Sequence, residues 1–490
     1  MTNLSRRSFL KTGAAALAGF TIAPNIILGK SHGHAAPTDK LNIAAVGVGG
    51  RGASVLRGME AENIVAIADV DWGYAKPVMD RYPNAKKFKD YRQMYSEMGN
   101  SIDAVMVATA DHTHAIIAAE AITMGKHVYV EKPLTHSIYE ARLLKKLAEK
   151  YGVATQMGNQ GSSGEGTRKV IQWVQNGEIG TVTKVEASTN RPIWPQGLNR
   201  PTKVDKVPKT LDWNLFLGPA KFRDFNSVYH PWNWRGWWDF GTGALGDMAC
   251  HILHGVYEAL QLGYPTQIQG SSTALLTDCA PSAQSIRMVF PARPNLPKQA
   301  MPQVEVTWYD GGLKPMRPEG MPKGKELEVA GGCTILHGTK DTLIYGCYGR
   351  EPWLLSGRVP TYTPGNHETT ENEHQTDWIR ACKENAATRM KSWSDFSRSA
   401  GLTEMVDIGV LATRLQGLNQ VLDWDGENMK LTNIDPNATI RIMKASNFSV
   451  NDGHPTFNNE YAEPVNALEF ANELIKHTYQ NGYKLPDMPR

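Results

Sequence analysis

The apolar run Leu41-Asn42-Ile43-Ala44-Ala45-Val46 ends in Gly47-Val48-Gly49-Gly50-Arg51-Gly52, and Asp69 closes the next apolar run. Such a run predicts a buried parallel strand. Gly47 then permits a tight turn. Gly49 lets backbone approach a pyrophosphate, and Gly52 lets the next helix, residues 53–59, pack on the sheet. The pyrophosphate is expected at that helix's N-terminus, where unpaired amides point outward. Residues 63–70 predict the second strand. Asp69 at its end accepts from both hydroxyls of an adenosine ribose and repels a 2′-phosphate, and no Arg follows in Val70-Asp71-Trp72. Strand, glycines, helix and spaced acid together make the pattern of a dinucleotide site. The expected cofactor is NAD rather than NADP, with Gly47, Gly49, Arg51, Gly52 and Asp69 as binding candidates.

Strand and helix patterns go on alternating: strands over 102–109, 127–131 and 153–157, helices over 112–124 and 137–151. This spacing predicts a parallel sheet with helices on both faces and ligands at the carboxyl ends of its strands. The polar clusters Thr109-Ala110-Asp111-His112-Thr113-His114, Glu131-Lys132-Pro133 and Gly158-Asn159-Gln160 fall at those ends.

Here the chain resembles a known family. Glu131-Lys132-Pro133 is similar to the signature of the glucose–fructose oxidoreductase and inositol dehydrogenase family (Gfo/Idh/MocA). The Thr109 to His114 segment is similar to that family's run after strand four. Gly243-Ala244-Leu245-Gly246-Asp247-Met248-Ala249-Cys250-His251 is similar to its Gly-rich lead into D-x-x-x-H. The resemblance covers about residues 40–440. It implies an N-terminal Rossmann domain and a C-terminal α+β domain with an open, mostly antiparallel sheet. It also implies Lys132 beside the nicotinamide and the reacting hydroxyl, where a lysine can donate or accept a proton. His251 is implied as general base, its ordinary pKa near 6.5 suiting the task. If 246–260 is one helix, Asp247 shares a face with His251 and either binds the substrate hydroxyl or tunes the imidazole. One of His112 and His114 is implied near the cofactor ribose. Thr109, Glu131 and Asn159 complete the cofactor candidates. Asp247, His251 and His254 also have helical spacing for metal ligands, but H-E-x-x-H is absent and no metal is expected.

After residue 160 the pattern changes to a helix over 165–175, then alternating strands over 181–189, 266–276, 285–290, 304–309, 334–337 and 343–348. Helices are expected over 371–383 and 402–418. Trp194 and the run Tyr229-His230-Pro231-Trp232-Asn233-Trp234-Arg235-Gly236-Trp237-Trp238 hold five of the 13 tryptophans. Aromatic faces stack on the C–H faces of sugars, and Arg235 can bind hydroxyls. Trp194, Tyr229, Trp234 and Arg235 are therefore substrate candidates; loop packing or a subunit contact is the alternative.

The N-terminus, Ser5-Arg6-Arg7-Ser8-Phe9-Leu10-Lys11 followed by an interrupted apolar stretch, resembles a twin-arginine export signal. Removing Arg6, Arg7, Lys11 and Lys30 from the 52 bases leaves 48 against 49 acids. A body so balanced gives no reason to expect a nucleic-acid partner. The expected organisation is a signal over 1–36, the NAD domain over 37–160, a substrate and oligomerisation domain over 161–440, and a tail over 441–490 that wraps a neighbouring subunit. The expected partners are the twin-arginine machinery, a sugar or glycoside, and further copies of the chain, with a periplasmic or otherwise exported location. Five cysteines show no C-x-x-C pairing; the odd count leaves at least one unpaired within a monomer, and Cys333 and Cys347 could bridge two strands.

An exported nicotinamide enzyme has no free cofactor pool to draw on, so its cycle must close on one bound NAD. Two functions satisfy that. One is oxidoreduction of a sugar or glycoside hydroxyl, closed by a second substrate. The other is NAD-dependent glycoside hydrolysis through a transient 3-keto sugar, as in some members of the family, with Tyr229 or His230 as candidate base for C2–H. A non-catalytic binding scaffold is the third class, against which Asp69, Lys132, Asp247 and His251 together argue.

Overall fold

The computed structural model describes residues 40–364 and 374–490; the expected signal over 1–36 lies outside them. The first domain runs β1 (Asn42–Val46), α1 (Arg51–Arg57), β2 (Asn63–Ala68), α2 (Trp72–Arg81), β3 (Lys86–Phe88), α3 (Tyr91–Met98), β4 (Ala104–Val107), α4 (Asp111–Thr123), β5 (His127–Val130), α5 (Ile138–Tyr151) and β6 (Thr155–Met157). These strands pair in the order β3-β2-β1-β4-β5-β6, all parallel. Alternate residues feed separate cores: Val105 and Val107 pack on one face, Ala104 and Met106 on the other. Burial on both faces is why these strands read as unbroken apolar runs. From β1 the chain winds outward to β3, then crosses to β4 and winds the opposite way. The reversal opens a crevice at the carboxyl ends of β1 and β4.

The second domain begins with α6 (Glu165–Gln175), β7 (Val182–Thr189), α7 (Trp213–Leu217), α8 (Gly243–Ile252) and α9 (His254–Leu260). It continues through β8 (Gln267–Ser272), β9 (Gln284–Phe290), β10 (Val304–Tyr309), β11 (Gly332–Gly338), β12 (Thr342–Gly346), β13 (Trp353–Leu354), α10 (His374–Lys383), α11 (Phe396–Arg414), β14 (Leu422–Asp425) and β15 (Lys430–Leu431). The sheet order is β13-β12-β11-β7-β10-β9-β8-β14-β15. Its one parallel pair among the described residues is β7 with β10, so the open, mostly antiparallel sheet is as expected.

Two features differ from the sequence expectation. The helix over 246–260 is two helices, α8 and α9. The carbonyl of Ile252 accepts from Tyr345 Oη (3.0 Å) and Thr334 Oγ1 (3.3 Å), and hydroxyls that enter the ladder bend a helix. Next, α10 returns to the first domain, where Trp378 joins Ile43, Ala45 and Tyr129 in its core. The tail adds further short elements. It forms β16 (Thr439–Ile440), an exposed hairpin of β17 (Met443–Asn451) and β18 (His454–Tyr461), β19 (Val465–Asn466) and α12 (Ala467–Ile475). Beyond α12 it crosses to the first domain. The five cysteines are free and buried, so Cys333 and Cys347 are not bridged.

Candidate active site

A cleft runs along the carboxyl edge of the first sheet, lined by Gly47, Gly49, Arg51, Asp69, Thr109, His112, Glu131, Lys132, Trp234 and Arg235 among others. Gly47 adopts φ +76°, and a Cβ on Gly52 would lie 2.0 Å from the Gly47 carbonyl oxygen. No other residue type fits that turn. No side chain caps the first turn of α1, which leaves amides for phosphate oxygens. Gly49 has a further reason to lack a side chain: a Cβ there would fall 2.2 Å from the Tyr74 ring.

Asp69 braces this loop. Its Oδ2 accepts from the amides of Val48 (2.8 Å) and Gly49 (3.2 Å), and its Oδ1 from that of Asp71 (2.9 Å). Burial pushes its carboxyl up, against the pull of those three amides. Arg51 spans the cleft floor, with Nε 3.3 Å from Glu131 Oε1 and Nη2 3.3 Å from Gln160 Oε1. This set fits a dinucleotide: a glycine cradle for pyrophosphate at α1, and a carboxylate at the end of β2 for ribose.

At the other end stands a buried ion cluster. Lys132 Nζ lies 2.5 Å from Asp247 Oδ1 and 3.0 Å from its carbonyl oxygen. Arg235 Nη1 lies 3.0 Å from the same Oδ1, with its guanidinium over Trp234 at 4.4 Å and Trp232 at 5.0 Å. Burial opposes charge on Asp247, but Lys132 and Arg235 outweigh it and hold the carboxyl well below the usual range. An ammonium has three donors, so Lys132 keeps one N–H unspent.

Two braces set this geometry. His114, behind the cleft, places Nδ1 2.8 Å from the Pro133 carbonyl and Nε2 3.1 Å from that of Thr109, tying the loop after β5 to the loop after β4. Asp111 Oδ2 accepts from Thr242 Oγ1 (2.9 Å) and the Thr242 amide (3.2 Å). A Cβ on Gly246 would clash with Thr242 Oγ1 at 1.6 Å, so this glycine lets Thr242 start α8 and present Asp247 and His251 one turn apart.

His251 lies off the cleft wall. Burial and then the Lys132 charge hold its imidazole well below the ordinary value, so it is neutral. Its Nδ1 has no partner among the described residues, and its ring packs edge-on against Tyr348 at 4.8 Å.

The other candidates separate clearly. His112 lines the cleft with Nε2 3.0 Å from the Phe216 carbonyl. Burial lowers both His112 and His114 to about 4. Asn159 does not line the cleft: it is fully buried, its Nδ2 3.2 Å from the Cys250 carbonyl and from His254 Nδ1, its Oδ1 accepting from Ser394. Trp194 is buried and donates to Gln196 Oε1 at 2.9 Å. Tyr229 is packed against Trp237 (4.8 Å) and Phe240 (5.8 Å). Of the four substrate candidates, Trp234 and Arg235 reach the cleft.

Sequence reasoning missed Tyr348, held at φ +64° between β12 and β13. A bulky residue there is strained, and such strain gathers at functional sites. Burial pushes its hydroxyl up to about 12.

Residues 41–159 match the family model described as oxidoreductase family, NAD-binding Rossmann fold, and residues 165–287 match its C-terminal alpha/beta domain. Both family models are those of the Gfo/Idh/MocA oxidoreductases. A glycosyl hydrolase family 109 protein of Shewanella baltica is 28% identical over 214 residues, covering 38% of this chain and 46% of the relative. The match thus spans about half the length of that relative. Among solved structures, GenD2 from gentamicin A biosynthesis in complex with NAD superposes with TM-score 0.52 at 15% identity, over 81% of this chain and 100% of the other. An inositol dehydrogenase homologue from Azotobacter vinelandii, complexed with NADH and myo-inositol, gives 0.52 at 15% identity, over 79% and 98%. At that identity the likeness to solved structures is one of fold.

Proposed function

We propose that the chain is an NAD-dependent oxidoreductase acting on a hydroxyl of a sugar or glycoside, with its cofactor retained through the cycle. The observation that carries this is the Lys132–Asp247–Arg235 cluster at the end of the cleft opposite Asp69. Bound NAD would accept and return a hydride at the nicotinamide. Lys132, on the cleft wall, donates its unspent N–H to the substrate oxygen and stabilises the charge that develops there. Asp247 fixes the direction of that ammonium. Lys132, on the cleft wall, or neutral His251, one turn along α8 from Asp247 and behind that wall, handles the hydroxyl proton. Trp234 and Arg235 offer an apolar face and donors to a polyhydroxylated ring. The bound inositol of the Azotobacter structure supports a polyol substrate.

A second reading, NAD-dependent glycoside hydrolysis, is supported by the hydrolase name of the Shewanella relative. Oxidation at C3 acidifies C2–H, elimination expels the glycosidic substituent, water adds, and the hydride returns, so no net redox results. The Ser5-Arg6-Arg7 segment supports export through the twin-arginine route, which carries folded proteins. Replacing both arginines by lysine should leave the precursor in the cytoplasm.

The deciding experiment incubates the purified protein, carrying its own cofactor, with a panel of glycosides and no added nicotinamide. Products are identified by mass spectrometry. Keto-sugars limited to one per site, or formed repeatedly only with an added acceptor, support the oxidoreductase. Multiple turnovers to ordinary monosaccharides support the hydrolase. Absence of both NAD and NADH binding would leave the scaffold class standing.

A further inference from the structure

We propose that the C-terminal strap, residues 476–490, belongs to the cofactor site, with Tyr483 as the aromatic wall of the adenine end and a determinant of how slowly the dinucleotide leaves. The proposal rests on the cofactor reading above.

Strand order gives the direction of the cleft. Lys132 follows β5, the glycine loop follows β1, Asp69 follows β2, and Lys89 to Tyr91 follow β3. A dinucleotide with nicotinamide at Lys132 and adenosine ribose at Asp69 therefore carries its adenine toward the edge after β3. That edge of the cleft is walled by Tyr91, Ile116, Ile117, Leu215 and Tyr483. The first four come from the domains already described. Tyr483 comes from a segment that begins beyond both matched families and returns across the molecule to reach this place.

The strap is pinned along its length. Tyr479 Oη donates to Glu140 Oε1 at the start of α5 (2.8 Å). The Gln480 amide donates to the Pro219 carbonyl (2.9 Å), and Asn481 Nδ2 to the carbonyls of Gly218 (2.8 Å) and Ala220 (3.0 Å). The Tyr483 amide then donates to the Gln480 carbonyl at 3.0 Å. Asn481 and Gly482 both have positive φ, +57° and +79°. Asn-Gly with this pattern is the signature of a type I′ turn. The turn sets Tyr483 against the cleft, where the Arg92 guanidinium lies 4.7 Å from its ring centroid. Beyond it, Lys146 Nζ donates to the Pro489 carbonyl at 3.4 Å. A ring fixed in this way and open to the cleft is a stacking surface for a base, which offers a π-face to any aromatic.

The test uses the full chain, with NADH release followed by stopped-flow fluorescence during a chase with excess NAD. Binding of ADP-ribose and of nicotinamide mononucleotide is measured separately by calorimetry. Tyr483→Ala should release NADH about tenfold faster, the scale of losing one base–aromatic contact. It should weaken ADP-ribose by a similar factor and leave nicotinamide mononucleotide unchanged. Tyr483→Phe keeps the ring and should behave as the parent. Leu485→Ala, a strap residue off the cleft wall, should also keep the parent rate. Release from Tyr483→Ala at the parent rate would overturn the proposal, as would equal weakening of both half-ligands. A parent chain that binds no NADH would overturn the cofactor reading itself.

Discussion

Asp247→Asn tests the ion cluster most directly. The substitution keeps shape and volume and removes one charge. It leaves Lys132 and Arg235, whose side chains are each only 10% exposed, facing a neutral amide. Removing one partner of a buried pair costs roughly 3–5 kcal/mol, because the remaining charge stays desolvated. Here two cations share the lost partner, so the upper part of that range is expected. Against a native state worth roughly 5–15 kcal/mol this is a third or more of the total at mid-range or below, and the variant should show a markedly lower urea midpoint by tryptophan fluorescence. The double variant Lys132→Met/Asp247→Asn removes one stranded cation and should recover about 1–3 kcal/mol with no recovery of activity. Asp247 itself should contribute no pH dependence between pH 5 and 8, whereas burial pushes its neighbour Asp111 up to about 6. Asp247 is depressed below its unfolded value of about 3.9, so its contribution is complete above that value. It is lost only as pH falls through the folded value, well below the usual carboxylate range. A single variant within 1 kcal/mol of the parent at pH 7, or a double variant no more stable than the single, would refute the account of a cluster held by charge.

Gly52→Ala should abolish measurable NADH binding in a fluorescence titration, since its Cβ meets backbone at 2.0 Å; Gly49→Ala should weaken binding too, since its Cβ meets the Tyr74 ring at 2.2 Å on the side where the pyrophosphate approaches. His114 titrates at about 4 in the native state because burial disfavours the charged ring. The unfolded chain binds that proton from about pH 6.5, so this contribution is full above 6.5 and erodes toward pH 4. The stability difference between parent and His114→Gln should therefore fall by up to ~1.4 kcal/mol per pH unit across that window in denaturation series. Tyr229→Phe should cost about 0.5–1.5 kcal/mol of stability with KM for the sugar unchanged, because Tyr229 packs among aromatics away from the cleft.

The dinucleotide half was legible because its signals are local. A buried strand, a glycine turn and a helix start occupy adjacent residues from 42 to 57, and each has its own periodicity or backbone demand. The third strand escaped notice: Lys86-Lys87-Phe88 is three residues long and two are charged, too short for any period to show. Among the site residues, type alone was a poor guide to place. Trp194, Tyr229 and Trp234 are equally aromatic in sequence, yet only the last lines the cleft. Asn159 follows a strand as a ligand-binding residue would, but His254 and Ser394 engage its side chain from distant parts of the chain. Tyr348 had no signal, since its left-handed backbone is set by tertiary packing: a Cβ on Gly161 would fall 2.6 Å from the Tyr348 Cα. The Asn481-Gly482 turn was readable, though nothing in sequence says which wall it serves.

The ion cluster joins groups 115 residues apart, and each member depends on a brace from elsewhere in the chain. Lys132 stands on a loop held by His114 in α4. Asp247 stands on a helix whose first turn is held by Asp111, also in α4. One helix of the first domain thus fixes both a first-domain loop and the start of a second-domain helix. Their separation is set by the short side chains of His114 and Asp111 gripping backbone and a hydroxyl, rather than by the long side chains that finally touch. This arrangement lets a lysine with four rotatable bonds hold one direction, since both its partner oxygens sit on the same residue of α8. It also means that neither domain alone contains the site. Any motion that separates α8 from α4 parts Asp247 from Lys132 and breaks the cluster.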